Sequence, residues 1–485
     1  KAPYFDAREV GAELVDFVAR HGGAANARPA VLERLKQLLK TARNEANEQL
    51  LADGNGRRCA EGLSAFQDEL IRLLYDYTVT HIYSATNPSN AEHMAVVATG
   101  GYGRRLLAPF SDVDLLFLLP YKQTPWGESV VEYVLYVLWD LGLKVGHATR
   151  TIDQSLKLAR ADITIRTALL DSRLILGDEP LFEDLMQRFQ REVVQGSAKQ
   201  FVEAKMAERD ERHRRAGESR YRVEPNIKDG KGGLRDLHTL HWLAKYMYGK
   251  GPSEGAVAAS IFTADEQATY RRCETFLWGV RCHLHFLTGR AEERLSFDVQ
   301  QGMAERLGYV DRGGLRSVER FMKHYFLVAK DVGDLTTILC SALEMEQVKT
   351  SPGLGRLLNP LSWRTRRHIR TTSDFRIDNG RLNIADPDVF KRDPVNLIRF
   401  FARAEETDAF FHPNAVRLLR RSLRLIDDKL RNDPEANRIF IGLLCSEKNP
   451  EPTLRRMNEA IRRGMTAEAA VERVQNDTRA RMLRQ

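Results

Sequence analysis

Residues 94–120 constrain the fold of this chain more than any other stretch. They contain two apolar runs, 94–99 and 113–119, separated by glycines and a short basic connection. Apolar runs of roughly four to eight residues bounded by turn signals are typical of buried strands. We therefore predict two strands, with a glycine turn that starts at Gly100 and Gly101. Glycines at the end of a strand permit backbone geometry that side chains would block, and they let a phosphate approach closely.

Asp112 and Asp114 stand at the start of the second apolar run. Side chains two residues apart on a strand share one face, so these carboxylates are expected about 7 Å apart along the strand. Burying such a pair is costly without a counter-charge, and a divalent cation with oxygen ligands would supply it. The spacing predicts one or two Mg²⁺ ions, held by Asp112 and Asp114, that align a nucleoside triphosphate.

A glycine pair followed by two spaced aspartates resembles the nucleotidyltransferase superfamily that includes DNA polymerase beta. In that superfamily a third carboxylate commonly lies on the next strand. Here the expected third strand, 143–149, offers only His147, and Asp171 lies in the following segment. The third metal ligand therefore stays open between Asp171, His147 and none.

A second informative stretch, residues 221–240, combines glycines with cations. Its glycines precede a helix that we predict to begin at Leu234. Backbone amides at a helix start, together with nearby cations, favour an anion such as the triphosphate or the leaving pyrophosphate. A glycine-rich linker between two domains explains the same pattern equally well. The glycines are Gly230, Gly232 and Gly233, and the cations are Lys228, Lys231 and Arg235.

Two histidine-containing helices could suggest a metal site. His238 and His241 are three residues apart on one, and Cys282, His283 and His285 lie close together on another. Both groups are embedded in aromatic and aliphatic sequence. We therefore expect ordinary helix packing there rather than metal binding.

Composition limits the remaining function classes. The 485 residues allow two to four domains, and 43% hydrophobic with 29% charged residues is ordinary for a globular protein. The net charge of +8 is spread along the chain, so we expect no nucleic-acid partner. The five cysteines form no closely spaced pair, and no apolar run reaches membrane-spanning length. We expect a cytoplasmic protein with no membrane partner.

Three segments together resemble a specific family. Residues 98–118, 224–245 and 285–309 are similar, in order and approximate spacing, to bacterial PII uridylyltransferase/uridylyl-removing enzymes. The resemblance implies transfer of UMP from UTP to a tyrosine of the PII signal-transduction protein, in nitrogen regulation. It also implies that Gly100 and Gly101 contact the triphosphate and that Asp112 and Asp114 hold Mg²⁺. The further implied nucleotide contacts are Ser111, Arg104, Lys228, Lys231 and Arg235.

From these features we predict an α+β fold, mostly helical, in which a small mixed-sheet, polymerase-beta-like domain is surrounded by all-helical domains. The predicted parts are an N-terminal helical segment (1–88), the nucleotidyltransferase domain (89–200), a helical domain with the glycine-rich loop (201–350), a linker with a hairpin and helices (351–460), and a C-terminal helix unlike the family (461–485). The hairpin is expected at 375–384, with Asn379 and Gly380 as its turn.

The family's HD-type hydrolase domain is not expected here. None of the twelve histidines is followed by aspartate, so the HD dipeptide is absent from this sequence. We therefore expect the uridylyl-removing and glutamine-sensing parts to be missing. Two alternatives remain: a relative that transfers AMP to another protein, and a catalytically silent module that binds nucleotide or PII.

Overall fold

The computed structural model of this protein describes residues 4–84, 90–216, 222–249, 262–350, 374–378, 381–407 and 410–445. The chain divides into two compact units, Lys1–Thr336 and Thr337–Gln485, and each is described by itself. The acidic pair and the glycine loop both belong to the first unit.

A four-stranded mixed sheet lies at the centre of the first unit. Its strands are β1 (Ala95–Ala98), β2 (Val113–Leu119), β3 (Val145–Thr151) and β4 (Arg173–Gly177), in the order β3-β2-β1-β4. β1 is antiparallel to both β2 and β4, whereas β2 and β3 are parallel. β2 occupies the predicted residues, and β1 and β3 lie within two residues of the predicted ends.

One face of β2 packs entirely into the hydrophobic core. Val113, Leu115, Phe117 and Leu119 are all buried with apolar side chains of the preceding helices. Because side chains alternate along a strand, Asp114 lies on the opposite face. The helices that cover the apolar face are α1 (Ala7–Arg20), α2 (Ala24–Asp53), α3 (Gly56–Tyr77) and, after the four-residue α4 (Gly100–Gly103), α5 (Pro125–Asp140).

Two glycines, Gly54 and Gly56, predict a loop over residues 53–58 that separates two helices, but the observed loop is shorter. α3 already begins at Gly56, because the Asn55 side chain accepts a hydrogen bond from the amide of Arg58 and caps the helix. The predicted helix start at Leu234 is confirmed. The remaining helices of this unit are α6 (Ile152–Ala161), α7 (Ile163–Leu170), α8 (Glu179–Phe189), α9 (Ala198–Arg215), α10 (Leu234–Tyr248), α11 (Ala264–Thr288), α12 (Phe297–Arg306) and α13 (Ser317–Thr350), the last of which continues into the second unit.

α3 and α11 cross in backbone contact. A Cβ on Gly56 would lie 2.2 Å from the backbone nitrogen of Gly279, so no larger residue fits there. Close to this crossing, the Cys282 thiol lies 3.5 Å from the carbonyl oxygen of Gly56. α11 is thereby fixed against the helices that cover the sheet.

The second unit contains a small three-stranded sheet. β5 (Phe375–Asp378) and β6 (Arg381–Ile384) are antiparallel, as predicted, and β7 (Phe410–Phe411) is parallel to β6. The turn at 379–380 and the C-terminal helix at 461–485 lie outside the described residues. The helices are α14 (Val389–Arg392), α15 (Asn396–Thr407), α16 (Pro413–Ser422), α17 (Asp428–Arg431) and α18 (Pro434–Leu444).

The predicted fold class is confirmed: the protein is α+β and mostly helical, with a small mixed sheet. The bounds of the five predicted parts stay predictions. Among the described helices, none combines the length and the apolar composition that crossing a bilayer requires.

Candidate functional site

The glycine turn and the acidic pair meet on the face of the sheet opposite the helical core. Asp112 directly precedes β2, and Asp114 pairs across the sheet with Gly146 of β3. A Cβ on Gly146 would lie 2.4 Å from Asp114 Oδ1, and one on Gly100 would lie 3.2 Å from Oδ2. Gly100 also has a φ of +59°, which disfavours other residues. Glycine on both sides therefore leaves room for the Asp114 carboxylate.

The two carboxylates carry charge that nothing in contact neutralises. Asp112 is exposed and Asp114 is half-buried. Across the part of the chain that the structure describes, neither side chain has a hydrogen-bond or ion-pair partner. Burial raises the pKa of Asp114, the charge of Asp112 raises it further, and Lys228 opposes both. An unpaired acidic pair of this kind is the arrangement that a cation would stabilise.

Lys228 brings a positive charge from the glycine-rich loop to the acidic pair. Its side chain is half-buried, and burial lowers its pKa, as does the charge of Arg281. Within the described ranges its ammonium forms no ion pair. Lys228 therefore places a positive charge near Asp114, and no salt bridge with another described residue neutralises it.

The glycine-rich loop is a tightly packed turn. Asn226 Oδ1 accepts hydrogen bonds from the amides of Lys228 and Asp229, at 3.0 and 2.6 Å. Gly232 has a φ of +83°, its amide donates to Asp236 Oδ2 at 2.8 Å, and a Cβ there would lie 2.3 Å from the Ala329 carbonyl oxygen. Close packing of this kind favours a fixed loop over a linker. The amides of Lys228, Asp229 and Gly232 donate to side chains of the same segment rather than to an anion.

The other two loop cations lie in different surroundings. Arg235 donates from Nε to Asp229 Oδ1 at 3.2 Å, and its guanidinium lies 5.7 Å from the ring centroid of Trp242. Lys231 lines a cavity of about 480 Å³ together with Arg212 and Arg294. Of the three, Lys228 is the one whose charge acts on Asp114. Roles for Lys231 and Arg235 in nucleotide binding stay predictions.

Arg104 and Asp171 form a buried ion pair. Arg104 Nη1 lies 2.6 Å from Asp171 Oδ2, and the two side chains are 9% and 0% exposed. Asp171 also accepts from Trp242 Nε1 at 2.7 Å and lies 3.3 Å from both His241 Nε2 and Lys245 Nζ. This geometry favours a structural role for Arg104 and leaves Asp171 no free oxygen for a metal.

His147 is also badly placed as a third ligand. It pairs with Leu115, one residue along from the Asp114–Gly146 pair, so its side chain lies on the opposite face of the sheet. Its ring is 5.8 Å from that of Trp139. In the described chain, no group of three or more histidine, cysteine, aspartate or glutamate side chains is arranged to hold a metal. Two carboxylates still fit Mg²⁺, which proteins usually bind through one or two carboxylates plus substrate phosphates.

Ser111 makes a contact that the sequence did not indicate. Its hydroxyl lies 3.2 Å from Nη2 of Arg281 on α11, and Arg281 forms a bidentate pair with Glu293. The neighbouring His285, for which we expect helix packing, is fully buried, and its Nδ1 accepts a hydrogen bond from the amide of Phe110. Neither Arg281 nor Glu293 was predicted as a site residue from the sequence. The sequence signal that could have identified them is the segment 285–309, which resembles the family. It contains Glu293 and begins four residues after Arg281.

Comparison with known proteins agrees with the family resemblance. Residues 200–340 match the family model described as GlnD PII-uridylyltransferase, and residues 375–461 match the uridylyltransferase GlnD third domain. The chain is 56% identical over 462 residues to the bifunctional uridylyltransferase/uridylyl-removing enzyme of Bradyrhizobium sp. strain BTAi1. Enzymes of the same name from Rhodopseudomonas palustris and Nitrobacter hamburgensis are each 55% identical over 457 residues.

Each of these matches covers 94% of this chain and 49% of the relative. The chain therefore spans about half the length of the curated relatives that it matches. Such identity over almost the whole chain far exceeds what a shared glycine turn and two aspartates would give. The predicted resemblance is confirmed: two segments of this chain match GlnD domain models, and 94% of the chain is similar to about half of each bifunctional uridylyltransferase/uridylyl-removing enzyme.

Proposed function

We propose that this chain is a nucleotidyltransferase that moves UMP from UTP to a tyrosine of the PII signal-transduction protein, in nitrogen regulation. One observation supports the chemistry above all others. Asp112 and Asp114 form a half-exposed acidic pair, beside a glycine turn, without a cation in contact among the described residues. The names of the relatives, bifunctional uridylyltransferase/uridylyl-removing enzymes, support uridylyl as the transferred group.

Asp112 and Asp114 would hold Mg²⁺, and the phosphates of UTP would complete its coordination. Mg²⁺ bound there would neutralise charge on the triphosphate and align the α-phosphate. Gly100 leaves the space beside Asp114 free of a side chain, so the triphosphate can approach the acidic pair. Lys228 adds a cation at the same place, suited to the charge that develops on pyrophosphate.

In the reaction, the phenolic oxygen of the PII tyrosine bonds to the α-phosphorus while the bond to the pyrophosphate oxygen breaks. The phenol has an ordinary pKa near 10, so its proton must leave to a base during attack. Mg²⁺ held by Asp112 and Asp114 would favour the phenolate, so that the proton can leave to solvent water. The leaving group departs as pyrophosphate, whose charge the Lys228 ammonium offsets.

The test is group transfer with two labelled nucleotides. The chain is incubated with PII, Mg²⁺ and either UTP or ATP labelled at the α-phosphate. We expect label from UTP, but not from ATP, on a PII tyrosine. Label from ATP would instead identify an adenylyl-transferring relative. Nucleotide binding without transfer would identify a catalytically silent module.

A further inference from the structure

The loop that carries Asp112 is attached to α11 at two consecutive residues. The Phe110 amide donates to His285 Nδ1 at 3.3 Å, and the Ser111 hydroxyl lies 3.2 Å from Arg281 Nη2. Burial lowers the pKa of His285, which keeps the imidazole neutral so that Nδ1 can accept. Both attachments lie within two residues of Asp112. The position of this carboxylate therefore depends on a helix outside the sheet.

Glu293 joins this attachment to the Lys228 loop. Its carboxylate lies 2.9 and 3.1 Å from Arg281 Nε and 2.5 Å from Nη2. Its backbone oxygen accepts from the amide of Ile227 at 2.8 Å, directly before Lys228. An adjacent isolated bridge pairs Asn226 with Arg294. One residue thus contacts both the helix behind Asp112 and the loop that carries Lys228.

Arg281 is poorly placed to bind a substrate itself. Its side chain is 7% exposed, and Glu293 occupies two of its nitrogens. Its guanidinium also lies 5.3 Å from the ring centroid of Trp278. Removing an arginine from such contacts would leave the Glu293 carboxylate, which is 15% exposed, without its main partner. Its contact with Ser111 is the route by which it reaches the acidic pair.

We infer that Arg281 and Glu293 are positioning residues that fix the Asp112 loop and the Lys228 loop relative to each other. This inference rests on the metal site of the proposed function and deepens it. Arg281 acts through the Ser111 hydroxyl, so Ser111 serves the acidic pair rather than the nucleotide. Partners that orient a metal ligand typically change metal affinity by about 10–100-fold when they are removed.

The experiment measures Mn²⁺ binding to the full chain without nucleotide, from the electron paramagnetic resonance signal of the free ion. Ser111→Ala and Arg281→Lys are each expected to weaken Mn²⁺ binding about tenfold. Arg281→Lys keeps the charge but loses the fork that contacts Glu293 and Ser111 together. The double variant should bind no more weakly than Arg281→Lys alone, because both changes break one connection.

Arg272→Lys is the matched control. Arg272 is on the same helix, its side chain is 61% exposed, and it pairs with Asp331 at 3.0 Å. It should leave Mn²⁺ binding unchanged. The inference is overturned if Ser111→Ala binds Mn²⁺ as tightly as the wild type does. It is also overturned if the double variant loses Mn²⁺ affinity by the product of the two single losses. Ser111→Ala removes only a hydroxyl and decides the matter even if Arg281→Lys does not fold.

Asp112→Asn, titrated in the same way, separates this inference from the proposed function. If Asp112→Asn binds Mn²⁺ as the wild type does, the metal site itself is refuted. If Asp112→Asn loses Mn²⁺ while Ser111→Ala keeps it, only the positioning role of Arg281 and Glu293 fails.

Discussion

Asp114 and Asp171 are two aspartates of the same compact unit in opposite electrostatic situations. Asp171 is fully buried and surrounded by Arg104, Trp242 and two further basic side chains. Burial alone would raise the pKa of Asp171, but the charge of Arg104 and the neighbouring donors hold it below its usual value. Asp114 is half-buried without such partners, and its pKa is raised.

The difference separates a structural charge from an available one. A carboxylate whose oxygens are all engaged by fixed donors stabilises the fold and has nothing left to offer a ligand. A carboxylate that is partly desolvated, lies near a like charge and has no cation in contact is stabilised when a cation binds. Sequence spacing alone left both Asp114 and Asp171 as candidate ligands.

The largest expected effect is on catalysis at the acidic pair. Asp112→Asn or Asp114→Asn should each reduce UMP transfer about a thousandfold, because metal stabilisation of transferred charge is worth several kcal/mol. Each change conserves shape, so the fold should persist. Labelled UTP and PII measure the transfer rate, and circular dichroism checks the fold. Near-normal turnover would show that the metal assignment is wrong.

Asp153→Asn is the control for these substitutions. Asp153 is in the same unit, its side chain is 82% exposed, and its partner is Arg188 at the surface. This change should alter neither transfer nor stability appreciably, because exposed ion pairs contribute about 1 kcal/mol at most.

The second effect is on stability at Asp171. Asp171→Asn should lower the free energy of unfolding by about 3–5 kcal/mol, because it leaves the Arg104 guanidinium buried without its counter-charge. Urea denaturation measures the loss. Mn²⁺ binding by the folded fraction should be unchanged. Loss of Mn²⁺ binding in a folded Asp171→Asn protein would contradict the contrast with Asp114.

A third, intermediate effect tests the space around Asp114. Gly146→Ala places a methyl carbon 2.4 Å from the present position of Asp114 Oδ1, which is too close, so the carboxylate must move. We expect transfer to fall about 10–100-fold, as for other displaced metal ligands, with little loss of stability. Gly11→Ala in α1 is the control, since its Cβ would meet only Leu73 Cδ1 at 3.6 Å. Equal activity of the two variants would show that Asp114 can shift without consequence.

The smallest effect concerns the metal-free protein. Because the pKa of Asp114 is raised by folding, the ionised carboxylate costs stability at neutral pH, and the cost fades as the pH falls and the group is protonated. Asp114→Asn should therefore raise the melting temperature at pH 7 by about 2 °C when Mg²⁺ is chelated. The gain should shrink at acidic pH, and scanning calorimetry across pH measures it. A variant less stable than wild type without Mg²⁺ would reverse the sign that we assign.

Much of the central sheet was predictable because its signals are local. The apolar run 113–119 sets the ends of β2, and the alternation of its side chains predicts that Asp114 lies away from the core formed by Leu115. The start of α3 was not predicted correctly. Asn55 caps the helix by accepting a hydrogen bond from the amide of Arg58, and this cap outweighs the two glycines that predict a loop. Asparagine is a preferred N-cap residue, so this helix start could have been predicted from the sequence.

The rest of the site depends on contacts that are distant in sequence. Lys228 is more than one hundred residues from Asp114, and Arg281 is 170 residues from Ser111. The two-residue repeat of strands and the 3.6-residue repeat of helices carry no information about contacts between residues that are distant in sequence. The pairing of Arg104 with Asp171, 67 residues further along the chain, is a second contact of this kind. The nucleotide contact that the family resemblance implies for Arg104 stays a prediction.

The close crossing of Gly56 and Gly279 bears on any attempt to shorten this protein. Residues 89–200 alone would retain both aspartates, but they would lose the upstream helices that cover Leu115 and Phe117. They would also lose α11, which that crossing anchors, and with it the attachment of Ser111. A fragment that keeps the proposed site intact must therefore be chosen by which segments are in contact, and we expect it to run from the first helices through Glu293.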